Sequence, residues 1–112
     1  MFQKLRTVVY YAPDIKKAKE WYSALTGFKP YFDEPFYVGF DINGCELGLD
    51  PNAAKPTGGN AAYWKVDNIK DAVAKCVASG ATIHSDIQNV GGTIEVAVIT
   101  DPFGNNVGLI SE

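Results

Sequence analysis

Along this chain, short runs of alternating polar and apolar residues are interrupted twice by stretches with the apolar spacing of a helix. Residues 5–12 and 61–66 are rich in aromatic and β-branched residues and are predicted to be strands. Each run is followed by a polar cap, Asp14 or Asn68, and then by Ile, Lys and Ala at matching positions, 54 residues apart (68 − 14). Apolar residues recur at helical spacing after both caps, which predicts two helices, the first ending at Gly27.

The ends of the two halves also correspond. Asn43-Gly44 is a two-residue hairpin signal, and segment 101–105, with its Pro and Gly, joins two extended runs, 93–100 and 106–110. Gly-Leu occurs at the same place in the strand after each turn. The sequence therefore predicts an α+β fold made of two tandem β-α-β-β-β modules.

The other boundaries follow from turn residues and short apolar runs. The remaining strands are predicted at residues 28–32, 36–42 and 82–85. Residues 33–35 separate the first two, and residues 86–92 are predicted to be a loop. A Pro- and Gly-containing linker, residues 51–60, joins module one, residues 1–50, to module two, residues 61–112, in a chain with the length of one domain.

The first hairpin sorts its side chains onto two faces of the sheet. The Asn43-Gly44 loop places Ile42 opposite Cys45 and Asp41 opposite Glu46, and alternate residues then share a face. The apolar, helix-side face comprises Phe36, Val38, Phe40, Ile42, Cys45, Leu47 and Leu49. The other face, which we call the polar face, comprises Tyr37, Gly39, Asp41, Glu46, Gly48 and Asp50. A face of this composition is either solvated or wrapped around a ligand.

Composition and charge exclude several functions. The net charge is −3 and Arg6 is the single arginine, so the chain has no basic stripe for the phosphates of a nucleic acid. No apolar run approaches about 18 residues, so no membrane span is predicted. No basic segment precedes an apolar one as in a signal peptide, which favours a cytoplasmic protein. Cys45 and Cys76 are isolated and are interpreted as reduced thiols. A mildly acidic surface favours cationic ligands.

Two runs of residues resemble those of a known family. They are Pro13-Asp14-Ile15, Ala18, Trp21-Tyr22, Leu25 and Gly27-Phe28 in the first half, and Asp101-Pro102 with Gly104-Asn105 near the end. In these the chain resembles the vicinal-oxygen-chelate superfamily of glyoxalases, bleomycin-resistance proteins and extradiol dioxygenases. The resemblance implies a half-open, curled mixed sheet around a ligand cavity, usually in a homodimer, so that the polar face would line a pocket.

The resemblance also identifies the positions at which metal-dependent members hold their ion. These are Thr7 and Ala61 on the first strand of each module and Gly48 and Gly108 on the fourth. A divalent ion needs three or four oxygen, nitrogen or sulfur donors, and none of these residues is a strong ligand. We therefore expect a member that lacks the metal ligands and uses no cofactor, with the two glycines leaving room in the cavity. Lone His84 is predicted to lie on a short edge strand.

The sequence favours two functions and leaves two others open. One is a metal-free protein that binds or sequesters an aromatic or cationic small molecule between tyrosines and acids. The other is a metal-independent lyase or isomerase on a small oxygenated metabolite, with Lys65, Glu46, Tyr11 and Tyr63 as candidates for proton transfer. A lyase with another metal site and a purely structural module are further alternatives. The predicted ligand-binding residues are Thr7, Val9, Tyr11, Tyr37, Asp41, Glu46, Gly48, Asp50, Tyr63, Lys65, Asn106 and Gly108.

Overall fold

The computed structural model describes residues 1–56, 58 and 60–112. The chain forms two compact units, Met1–Lys55 and Pro56–Glu112. Their boundary falls inside the predicted linker, of which Thr57 and Gly59 lie outside the described residues. The division into one domain with modules at residues 1–50 and 61–112 stays a prediction.

The first unit is a four-stranded mixed sheet with one helix. Its elements are β1 (Thr7–Tyr11), α1 (Ile15–Thr26), β2 (Phe32–Glu34), β3 (Tyr37–Ile42) and β4 (Cys45–Asp50). The strand order is β1-β4-β3-β2, with β1 parallel to β4 and the other pairs antiparallel. The sheet is open, and β1 and β2 are its edges.

Helix α1 has the ends that its sequence predicts. The Asp14 carboxylate accepts the backbone N–H of Lys17 at 3.2 Å, and Gly27 closes the helix with a left-handed φ of 77°. Ala18 and Tyr22 are buried, and the Tyr22 ring stacks on Tyr10 of β1 with ring centroids 5.7 Å apart. The core of this unit therefore lies between α1 and the sheet.

The β3–β4 hairpin confirms the predicted register. Asn43 and Gly44 have φ values of 52° and 94°, as a type I′ turn requires, and Ile42 pairs with Cys45. On the helix-side face, four of the predicted residues are at most 3% exposed: Val38, Phe40, Leu47 and Leu49. The prediction for Phe36 is wrong, because this residue lies in the turn before β3 and is 63% exposed.

Strand β2 is shorter and later than predicted. It spans Phe32–Glu34 and replaces the expected strand at residues 28–32. Pro30 has no N–H to donate, and pairing with β3 starts after it, where the Tyr31 N–H donates to the Gly39 carbonyl at 2.9 Å. The Lys19 ammonium also contacts the Asp33 carboxylate at 3.0 Å and ties α1 to this edge strand.

The second unit repeats the same order of elements. They are β5 (Tyr63–Lys65), α2 (Ile69–Ala78), β6 (Thr82–Gly91), β7 (Ile94–Thr100) and β8 (Asn106–Ser111). The strand order is β5-β8-β7-β6, with β5 parallel to β8, and the sheet is again open. The predicted α+β architecture of two β-α-β-β-β modules is confirmed. Among the described residues, no helix is long and apolar enough to cross a membrane.

Strand β6 corrects the predicted loop at residues 86–92. It continues through this segment for ten residues, with breaks of register against β7 between Ile83 and Ser85, Ser85 and Gln88, and Asn89 and Gly91. Such bulges let a polar sequence without strict alternation follow its neighbour strand. His84 lies on this exposed edge strand, which is longer than predicted.

The loop between β7 and β8 is held by a buried carboxylate. Asp101 and Asn105 are each 3% exposed. The Asp101 carboxylate accepts the backbone N–H groups of Phe103 and Asn105 at 2.9 and 2.8 Å, and the Asn105 side-chain amide at 2.9 Å. These bonds fix the turn that the Pro-Gly pattern predicts.

Candidate functional site

Aromatic rings lie over glycines on the polar face of the first sheet. Gly39 and Gly48 are paired across β3 and β4. A Cβ at Gly39 would lie 3.1 Å from Cε1 of Tyr31, and a Cβ at Gly48 would lie 2.7 Å from Cζ of Tyr37. Glycine is therefore required at residue 48 by the close approach of a ring, and the room that we expected there is filled.

Both tyrosines converge on one carboxylate. The Tyr31 hydroxyl donates a short hydrogen bond to Oε1 of Glu46, and the Tyr37 hydroxyl donates to Oε2 at 2.5 Å. We call these three residues the Tyr-Glu-Tyr cluster. Hydrogen bonds to the charged form, from Tyr31 first and then Tyr37, hold the pKa of Glu46 below its usual value. The carboxylate is therefore ionised at neutral pH.

The pKa values of the two tyrosine hydroxyl groups shift in the opposite direction, upward. The hydrogen bond to Glu46 raises the pKa of Tyr31, with smaller contributions from burial and from the negative charge of Glu46. Burial raises the pKa of Tyr37, and the hydrogen bond to Glu46 adds to the effect. Both phenols thus remain donors at neutral pH.

An open groove runs beside the cluster. Its volume is about 350 Å³, and it is lined by Arg6, Tyr31, Asp41, Gly44 and Glu46. Asp41 lies directly opposite Glu46, and its Oδ1 accepts the Gly44 N–H at 2.8 Å. The backbone carbonyl of Arg6 accepts the Glu46 N–H at 2.8 Å, which holds Arg6 beside Glu46. The Arg6 guanidinium donates to the Thr7 hydroxyl at 2.7 Å. The groove thus combines one aromatic wall with side-chain charges of net −1 (1 − 2).

The structure brings eight of the predicted site residues onto the first sheet. The parallel pairing of β1 with β4 sets Thr7, Val9 and Tyr11 beside Glu46, Gly48 and Asp50, and Tyr37 and Asp41 follow on β3. Of these, Asp41 and Glu46 line the groove. Asp50 is at the opposite end of its strand, where its carboxylate accepts the Asn52 N–H at 2.7 Å. Ligand binding by these residues stays a prediction.

The other four predicted residues belong to the second unit. Tyr63 pairs with Gly108 and is 49% exposed, and Lys65 is exposed. Oδ1 of Asn106 accepts the Thr100 hydroxyl at 3.1 Å. A Cβ at Gly108 would lie 2.6 Å from Cδ2 of Tyr63, so the space at this second glycine is also filled by a ring.

Tyr31 and Arg6 line the groove but are not among the predicted site residues. Tyr31 falls in the predicted strand at residues 28–32, whose faces the sequence does not assign, and it precedes β2 in the structure. Its position follows from the pairing of its N–H with Gly39, which the sequence did not reveal. Arg6, the single arginine, was noted only for the overall charge. An aromatic residue next to Pro30 was the one available signal.

The residues at the superfamily's metal positions do not fit an ion. Thr7 offers one hydroxyl, Ala61 has no donor, and the space at Gly48 and Gly108 holds tyrosine rings. Within the described part of the chain, no three His, Cys, Asp or Glu side chains are grouped closely enough to hold a metal. A divalent ion requires more donors than these positions supply.

The comparisons with known proteins agree with this fold. The family model for the glyoxalase/bleomycin resistance protein/dioxygenase superfamily matches residues 4–109. The chain therefore belongs to this superfamily, as its sequence motifs predicted. No curated protein matches it significantly in sequence.

Solved structures resemble the whole chain. A glyoxalase/bleomycin resistance protein/dioxygenase family enzyme from Burkholderia phytofirmans PsJN has a TM-score of 0.79 at 20% identity, over 97% of this chain and 98% of that one. A glyoxalase-related enzyme from Fulvimarina pelagi gives 0.77 at 16% identity, over 99% and 89%. Lactoylglutathione lyase from Agrobacterium tumefaciens gives 0.77 at 17%, over 98% and 94%. At these identities the likeness shows the fold.

Proposed function

We propose that this chain is a metal-free small-molecule-binding member of the superfamily and that its groove binds an aromatic cation. The observation that carries the proposal is the Tyr-Glu-Tyr cluster at the groove, with an ionised carboxylate, Glu46, beside an exposed aromatic wall, Tyr31. Aromatic faces attract cations and stack on planar rings, and a carboxylate supplies the opposite charge.

The size and charge of the groove support this ligand class. Its volume of about 350 Å³ is at the lower end of the range for small-molecule sites, about 300–1,000 Å³. Asp41 and Glu46 lie directly opposite each other on one face, and together with Arg6 they give the groove a net side-chain charge of −1 (1 − 2). This negative charge attracts a cation and repels an anion.

The geometry favours binding over the alternative of metal-independent catalysis. The depressed pKa of Glu46 makes its carboxylate a weak base at neutral pH. Lys65, the other candidate for proton transfer, is exposed on β5 of the second unit. Two further properties form part of this proposal: a cytoplasmic location, which the sequence favours, and a homodimer, which the superfamily resemblance implies. Light scattering of the purified protein tests the homodimer.

Calorimetric titration with three matched probes tests the proposal. Benzamidinium and phenyltrimethylammonium are aromatic cations, and benzamide is a neutral relative of the first. We expect saturable binding of the cations and at least about tenfold weaker binding of benzamide. A tenfold difference in affinity corresponds to about 1.4 kcal/mol of binding free energy, which is less than a hydrogen bond to a charged group usually contributes.

A matched control variant distinguishes the effect of losing Glu46 from the effect of changing the overall charge of the protein. Glu46→Gln should abolish binding of the cations, whereas Glu20→Gln, which removes an exposed acid on α1, should leave it unchanged. Equal affinities for benzamide and benzamidinium, or no heat for any probe at millimolar concentration, would contradict the proposal.

A further inference from the structure

The two tyrosines of the Tyr-Glu-Tyr cluster are held very differently. Tyr37 lies within β3, is half-buried, and its ring packs closely against Gly48. Tyr31 precedes the short edge strand β2 and is 62% exposed. Its contact with Gly39 is also looser: a Cβ built at Gly39 would lie 3.4 Å from Cζ of Tyr31, whereas one built at Gly48 would lie 2.7 Å from Cζ of Tyr37. The Tyr31 side chain can therefore turn away with less loss of packing than Tyr37.

Movement of Tyr31 needs no change in the sheet. Its backbone N–H remains paired with the Gly39 carbonyl at 2.9 Å, so rotation of the side chain is sufficient. Rotamer changes of exposed side chains take place in picoseconds to nanoseconds. The hydroxyl is therefore a rapidly exchangeable donor on Glu46.

Tyr31 also shares the groove with the carboxylate to which it is bonded. Tyr31 and Glu46 both line the groove, whereas Tyr37 does not. Oε1 of Glu46 accepts the hydroxyl of Tyr31, the tyrosine that lines the groove, and Oε2 accepts the hydroxyl of Tyr37. A charged N–H donor forms a stronger bond to a carboxylate than a neutral phenol does. A cation in the groove thus competes with Tyr31 for one oxygen.

We infer that the Tyr31 hydroxyl holds the place of a ligand's N–H donor, so that the groove selects planar amidinium or guanidinium compounds that displace it from Glu46. Tyr37 stays bound to Oε2 and keeps the carboxylate oriented. The freed Tyr31 ring remains at the groove wall, where it can stack on the planar cation. This inference rests on the function proposed above and narrows its ligand class.

Single-atom changes in the two tyrosines test the inference. Tyr31→Phe removes the competing hydroxyl but keeps the ring, so affinity for benzamidinium should rise about three- to tenfold, the equivalent of one modest hydrogen bond. Tyr37→Phe removes the orienting bond, so affinity should fall by a similar factor. Tyr31→Ala, which also removes the stacking ring, should bind more weakly than Tyr31→Phe.

The probes and a spectroscopic readout make the outcomes distinct. Wild-type protein should bind benzamidinium at least about tenfold more tightly than phenyltrimethylammonium, which is an aromatic cation without N–H donors. With Cζ-labelled tyrosine, NMR should show the Tyr31 signal shifting on addition of benzamidinium and the Tyr37 signal staying in place, each assigned from its Phe variant.

Failure of this inference differs from failure of the proposed function. If both cations bind equally and Tyr31→Phe leaves affinity unchanged or lower, the displacement of Tyr31 is wrong while aromatic-cation binding stands. If neither cation binds to wild type or to Tyr31→Phe, the proposed function and this inference are both wrong.

Discussion

Gly48→Ala should destabilise the first unit, because a tyrosine ring fills the space at this glycine. The atom nearest to the new Cβ would be the Tyr37 hydroxyl oxygen, and Cζ and Cε1 would follow at 2.7 and 3.0 Å. Ordinary contact begins at 3.4 Å, so Cζ must retreat by 0.7 Å (3.4 − 2.7) and the hydroxyl oxygen by more. Overpacking of this kind costs about 1–3 kcal/mol. Retreat also stretches the 2.5 Å bond from Tyr37 to Glu46, a class of bond that contributes about 1.5–3 kcal/mol before solvent screening.

We therefore expect Gly48→Ala to lower the free energy of unfolding by about 2–3 kcal/mol. A double-mutant cycle with Tyr37→Ala isolates the cause, because the three atoms nearest to the new Cβ all belong to Tyr37. Without that ring, Gly48→Ala should be neutral or stabilising by up to about 1 kcal/mol, since glycine is disfavoured inside a strand. Urea unfolding followed by circular dichroism gives both values.

The second unit supplies the matched control. At Gly108 the nearest atoms include the backbone oxygen of Ala62, 2.7 Å from a Cβ, and this oxygen accepts the Gly108 N–H at 2.8 Å. Removal of the neighbouring ring by Tyr63→Ala should therefore not rescue Gly108→Ala. If Gly48→Ala costs the same with and without the Tyr37 ring, the packing argument is refuted.

Two further predictions concern carboxylates. The lowered pKa of Glu46 means that its stabilisation is present above the ordinary value of 4.5 and is lost as pH falls through the folded-state pKa. The difference in free energy of unfolding between wild type and a variant with both cluster tyrosines changed to Phe should thus be constant near neutral pH and should shrink in acid. A difference that grows in acid would contradict this. Asp101→Ala should cost about 2–4 kcal/mol, since it leaves buried donors unpaired, whereas Asp86→Ala on exposed β6 should cost under about 1 kcal/mol in thermal unfolding. Equal losses would show that the buried bonds contribute little.

Local sequence patterns were sufficient to predict two features of the first unit. Helix α1 follows from Asp14, its apolar spacing and Gly27, all of which act within a few residues of the chain. The β3–β4 hairpin follows from the two positive φ angles that Asn43-Gly44 accommodates. Both signals are local, so the sequence alone predicts the elements and the faces of this hairpin.

Edge strands were predicted less well, because partners distant along the chain set their limits. β2 begins only where Tyr31 can pair with Gly39, and β6 continues through a polar segment because bulges keep it beside β7. The alternation of residues predicts Phe36 on the apolar face of β3, but Phe36 lies in the turn between β2 and β3, because β2 begins later than predicted. Hydrophobic pattern does not record such pairings.

By itself, the sequence determined the duplicated β-α-β-β-β architecture, the superfamily and the acids of the polar face, because spacing and turn residues specify which side chains share a face. Only the tertiary structure decided that Tyr31, outside the hairpin, reaches Glu46, and that Tyr37 fills the space at Gly48. The physical reason is that both contacts depend on side-chain reach across strands, where ring size and the absence of a Cβ matter more than the order of residues along the chain.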